Sequence, residues 1–144
     1  MVNSRGEPVD FSFARVDVHA SFLWRPGEAH RRAVVTLCRA LFTAAAHVPN
    51  LIVTLASEVA PRVFGEDLEV AVPLCRVAGP DALAHSPAES MEEAPDAQNL
   101  FWAGPPAAAG SDARALLDAL IARKSLTEPF ERADLGLQEA FASA

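Results

Sequence analysis

Asp17, His19 and Ser21 stand at alternate positions of one stretch, with Arg15 just before them. On a strand such residues share a face, about 7 Å apart, close enough to converge on one atom with help from neighbours. Asp-x-His supplies two metal ligands, and a zinc site needs three or four. His30, His47 and His85 stand at no spacing that completes such a set. Ser21 and His19 are also nucleophile and base types, but no nucleophile elbow surrounds Ser21. A polar strand face, solvated or paired across strands, accounts for the same residues without chemistry. No Gly-rich phosphate loop, HExxH run or EF-hand loop occurs, and no motif calls for a metal or cofactor. A small metal-dependent or hydrolytic enzyme using Asp17 and His19 is therefore the second reading. The first is a protein with no catalytic centre.

The residues suited to binding another protein are of different types. Arg31, Arg32 and Arg39 fall on the polar side of a helical pattern. They can be solvated, hold an acidic partner, or be covered by the chain's own acidic stretch, although exposed ion pairs contribute only about 0–1 kcal/mol each. Leu100-Phe101-Trp102 follows a stretch holding Glu89, Glu92, Glu93 and Asp96. Acidic residues ahead of an apolar-aromatic cluster have the make-up of a docking segment. The same cluster can instead pin its loop to the protein's own core, and burial is the expectation for Phe101 and Trp102. Glu92 and Glu93 are then expected on an outer rim, open to a basic partner or to Arg31, Arg32 and Arg39. A last stripe, Phe130, Leu137 and Phe141, suits either a dimer seam or packing on the chain's own sheet.

These residues need elements to hold them. Residues 9–24 alternate, with Ala14, Val16, Val18, Ala20, Phe22 and Trp24 on one side and Phe11, Phe13 and Leu23 on the other. That predicts a long strand, ended by Arg25-Pro26-Gly27. The period then changes: Val34, Leu37, Cys38, Leu41, Ala45 and Val48 predict a helix over 28–47, packed on the Ala14/Val18/Phe22/Trp24 face. The β-branched run Leu51–Leu55 predicts a buried strand over 51–56, with a helix capped by Asn50 as the alternative. Alternation over 67–77 predicts a third strand, placed at an edge because Pro73 has no backbone donor. Residues 79–110 have no period and read as a long acidic Pro/Ala-rich loop. Helices follow over 111–124, capped by Ser111, and 127–142, with Pro129 in the first turn and Gly136 as a weak point. The expected fold is α+β: one domain of 1–144, with a small antiparallel or mixed sheet.

Charge divides this chain. Residues 1–78 hold eight Arg against eight Asp and Glu, and 79–144 hold four basic against eleven acidic residues, so the whole net charge of −7 lies in the second part. Acidic charge repels phosphate backbones, so nucleic acid is not an expected partner. Mean hydropathy is +0.15, but no apolar run of about 18 residues occurs, so no membrane partner is expected either. The first residues lack the apolar core of a signal peptide, which points to the cytoplasm. There Cys38 and Cys75 are expected as buried free thiols. Small size and acidic character are loosely similar to dimeric secretion chaperones and to phage or viral assembly proteins, a likeness of charge and length that assigns no residue. The functional expectation is a non-enzymatic, partner-binding protein: an adaptor, chaperone, inhibitor or viral or phage assembly factor. Phe11, Phe13 and Leu23, left over by the first strand, point to a homodimer, because long apolar edges are normally paired or covered.

Overall fold

Leu74-Cys75-Arg76-Val77-Ala78 lies at the centre of the molecule, and its first four residues are buried on both faces. A computed structural model describes residues 1–17, 25, 27–64, 66–82, 87, 89–95 and 98–142. Among them the element order is α1 (Glu28–Ala44), β1 (Ile52–Leu55), β2 (Leu74–Ala78), β3 (Ser90–Ala94), β4 (Gln98–Trp102), α2 (Asp112–Ala122) and α3 (Glu128–Ala142). The sheet order is β1-β2-β4-β3. β1 runs parallel to β2, while β4 is antiparallel to both β2 and β3. The result is a single-domain α+β arrangement around a mixed sheet.

Strand alternation divides the core in two. Cys75 pairs with Trp102 and Val77 with Leu100, so these four side chains share one face. α2 covers it with Ala113, Leu117 and Leu120, joined by Leu126 and Ala107. Ser111 caps α2 by accepting from the Arg114 amide at 3.2 Å, which satisfies one of the free donors of the first turn. On the other face Leu74 packs with Val63, Phe64 and Leu68, and α1 reaches this cluster through Val34, Val35 and Cys38.

Arg76 is the exception in the central strand. It is 4% exposed. Nη1 donates to both oxygens of Glu89, at 2.7 and 2.9 Å, Nε to the Val59 carbonyl at 2.8 Å and Nη2 to the Ala56 carbonyl at 3.1 Å. The guanidinium thus ties β2 to the turn after β1 and to the start of β3. Four hydrogen bonds, two of them to a carboxylate, are what let a charge reside in a core.

Several expected elements differ. Residues 9–17 belong to no strand, and Val18, His19, Phe22, Leu23 and Trp24 lie outside the described residues. Alternation reports that two sides of an extended chain differ, not that a neighbouring strand exists. α1 accordingly seats on the Leu74 cluster, and it ends at Ala44 rather than 47. The third strand is confined to 74–78 and is central, not an edge. Pro73 sits just outside it and uses only its carbonyl, which accepts from the Ile52 amide at 2.9 Å. The stretch 79–110 is not a plain loop, because the hairpin of β3 and β4 lies within it. Ser-Met-Glu-Glu-Ala has little intrinsic strand preference, and its pairing with the strongly apolar β4 overrides that.

Candidate interaction surface

α3 has the same amphipathic stripe as α2 but no buried residue. Its cover is the N-terminal segment. That segment first closes on itself: Asn3 Oδ1 accepts the amides of Arg5 and Glu7 at 2.8 and 3.1 Å. Gly6 takes φ +77° at this turn, with Ser125 Cβ 3.5 Å from where its own Cβ would stand. Arg132 then clamps the turn to the helix, Nη2 donating to the Gly6 carbonyl at 2.9 Å while Nε donates to Glu128 at 3.1 Å.

Beyond the clamp the segment runs along α3 in the same direction. The Phe11 ring lies on Gly136, where an added Cβ would stand 2.9 Å from Cζ. Gly136 therefore neither splits nor ends the helix; it makes room for a ring. Phe13 meets Phe141 edge-on at 6.0 Å between centroids, and Phe11 and Phe13 lie 6.3 Å apart. Edge-on aromatic pairs add about 0.5–1.5 kcal/mol beyond their buried area. Yet Phe11 and Phe13 are each 49% exposed and Phe141 46%. Each of these phenylalanines keeps about half of its surface open to water. A contiguous apolar cluster of this kind marks a contact site more often than scattered apolar residues do.

The residues singled out from sequence are placed otherwise. Leu100, Phe101 and Trp102 are buried, with exposures of 0, 0 and 1%. Leu100 and Trp102 face α2, and Phe101 faces Arg76, its ring centroid 6.0 Å from the guanidinium carbon. These three side chains therefore pin the hairpin to the core. Glu92 is not on a rim: it accepts from Trp102 Nε1 at 3.2 Å and pairs with Arg114 at 2.7 Å. Glu93 is exposed on β3, and Asp96 lies outside the described residues. The arginines of α1 find partners in the first part of the chain. Arg31 binds Asp67 in a two-pronged pair at 2.7 and 2.6 Å, Arg32 pairs with Glu28 at 2.9 Å, and Arg39 donates to the Asp67 carbonyl at 3.3 Å. The Arg31 hydrogen bond holds the Asp67 carboxyl below its ordinary range.

Asp17 is exposed, His19 is outside the described residues, and among the described residues no three of His, Cys, Asp and Glu are grouped to hold a metal ion. Both cysteines are free thiols. Burial pushes Cys75 up to about 12 and raises Cys38 as well, so neither is a ready thiolate. A cleft of about 550 Å³ opens between Ser57, Asp81, Gln98 and Thr127, with Arg76 and Phe101 in its floor. The guanidinium there is already committed to Glu89 and two carbonyls.

Sequence reading missed the Arg76–Glu89 pair, whose signal was an arginine in mid-strand between Cys75 and Val77. It saw Phe11, Phe13 and Phe141 separately; only the structure brings them together. No helix among the described residues is long and apolar enough to cross a membrane. No protein-family model, curated protein or solved structure matches this chain.

Proposed function

We propose that this is a non-enzymatic, partner-binding protein that acts through protein–protein contacts, in the class of adaptors, chaperones, inhibitors and viral or phage assembly factors. The observation that supports it is the half-exposed cluster of Phe11, Phe13 and Phe141, formed between the N-terminal segment and a helix that buries none of its own residues. Aromatic side chains dominate binding energy where a partner finishes their burial. The net charge of −7 argues against nucleic acid as that partner. A place in the cytoplasm, free of membrane partners, belongs to the same proposal, as does self-association into a homodimer.

The test is a pull-down from the native host with the wild-type chain and with F11S/F13S/F141S. The expected result is a bound protein, another copy included, that the variant loses while its melting temperature stays close to wild type. Equal retention by both chains would move the contact off this surface. Retention by neither, with the wild-type chain monomeric, would remove the reading.

A further inference from the structure

We infer that residues 1–13 and α3 form one opening unit, which leaves the sheet core together and takes the aromatic face apart as it goes. The opening is a property of the chain alone. Its consequence, that the contact surface exists only while the unit is closed, rests on the partner-binding reading.

The first observation is how little ties this layer to the core. Among the described residues one hydrogen bond joins residues 1–17 to the rest of the chain, and its donor, Arg132, is on α3 itself. The other bonds of the segment are internal: the Gly6 amide donates to the Asn3 carbonyl and the Val9 amide to the Met1 carbonyl, both at 2.9 Å. Gly6 is the one buried residue of 1–17, and it has no side chain to bury. α3 buries no residue at all. The core ends just ahead of it, at Leu126, which is buried in the cluster under α2.

The second observation is that neither half of the layer stands alone. A short turn closed by its own hydrogen bonds is marginal in water. So is a lone helix of about 12–15 residues, and a mid-helix glycine weakens it further. α3 has 15 residues, with Gly136 inside it. What holds the two halves are contacts spread along the helix: Arg132 to Gly6, the Phe11 ring on Gly136, and Phe13 against Phe141. Removing either half strips the other of its cover, so the two open as one. Regions with few buried apolar contacts open at a lower free energy than the whole fold. Phe11 and Phe13 belong to one half and Phe141 to the other, so each opening dismantles the aromatic face.

Hydrogen exchange of the full chain, alone and at low micromolar concentration, tests this. The amides of Gly6 and Val9 and those of Gly136 and Leu137 should exchange through a common opening, roughly a hundredfold faster than those of β2 and β4. F11A should speed Gly136 and Leu137 about fivefold, and F141A should speed Gly6 and Val9 by a similar factor, with β2 and β4 unchanged in both. Exchange of the segment and α3 as slow as that of β2 and β4 overturns the inference, because the layer is then part of the core. F11A without effect on α3, or F141A without effect on the segment, overturns it as well, because the two halves then open separately. Neither result touches the partner-binding reading, which the pull-down decides, and a pull-down that finds no partner leaves the exchange result in force.

Discussion

α2 and α3 have similar apolar stripes and opposite fates. α2 buries Ala113, Leu117 and Leu120 against a finished sheet face; α3 buries none and meets the N-terminal segment. The stripe says which side of a helix avoids water. The opposing surface determines how far that side is buried. Between the two helices the protein changes from a closed core to a half-closed layer, and the proposed function is placed on the open one.

If that contrast is right, aromatic substitutions should separate sharply. F101A/W102A removes two fully buried rings and should cost several kcal/mol, since each such truncation typically costs about 3–5 kcal/mol. F141A, on the open layer, should cost only about 1 kcal/mol, half of what burying a Phe is worth. Thermal melts of the two variants check this, and equal shifts would erase the distinction between layers.

The core charge gives the next effect. R76M takes the Arg76 charge from beside the buried Glu89 and should destabilise by about 3–5 kcal/mol in urea titrations. R76M/E89L should recover most of that loss, because neither buried charge remains. If the double variant is worse than R76M, the pair contributes more than mutual compensation.

A smaller effect sharpens the account of α3. Gly to Ala in an exposed helix normally gains about 1 kcal/mol. At Gly136 a Cβ would strike the Phe11 ring at 2.9 Å. G136A should therefore gain nothing in the wild type but about 1 kcal/mol when added to F11A. The same gain in both backgrounds would mean that Phe11 does not rest on the helix.

The smallest effect is an acid one. Asp67 has a folded pKa below its ordinary 3.8 because Arg31 binds the charged form. A depressed carboxyl contributes stability above the unfolded pKa and loses it as pH falls through the lower folded value. D67N should thus be slightly less stable than wild type at neutral pH, with the difference closing below pH 3.8. A difference independent of pH would show that the contact acts by packing alone.

Much of this architecture was legible in the sequence. The 3.6-residue period placed all three helices, Ser111 its cap, and the β-branched run β1. β3 was not legible, because Met-Glu-Glu states no strand preference and takes its form from β4. Alternation over 9–17 was real but was read as sheet, when its other side was a helix. The site was half legible: Phe11, Phe13 and Phe141 each stood out, but nothing local says that residues more than 120 positions apart will touch. Leu100-Phe101-Trp102 had the composition of a docking segment and the location of a core, and composition alone does not separate the two.

The most direct test of the central claim is amide NMR of the uniformly labelled chain as its concentration is raised. Concentration-dependent shifts should cluster on Phe11, Phe13, Gly136 and Phe141, leaving α1 and the sheet unmoved. Shifts centred on α1 or on the β3 edge, or no shifts at high micromolar concentration, would contradict the self-association proposed for the aromatic face.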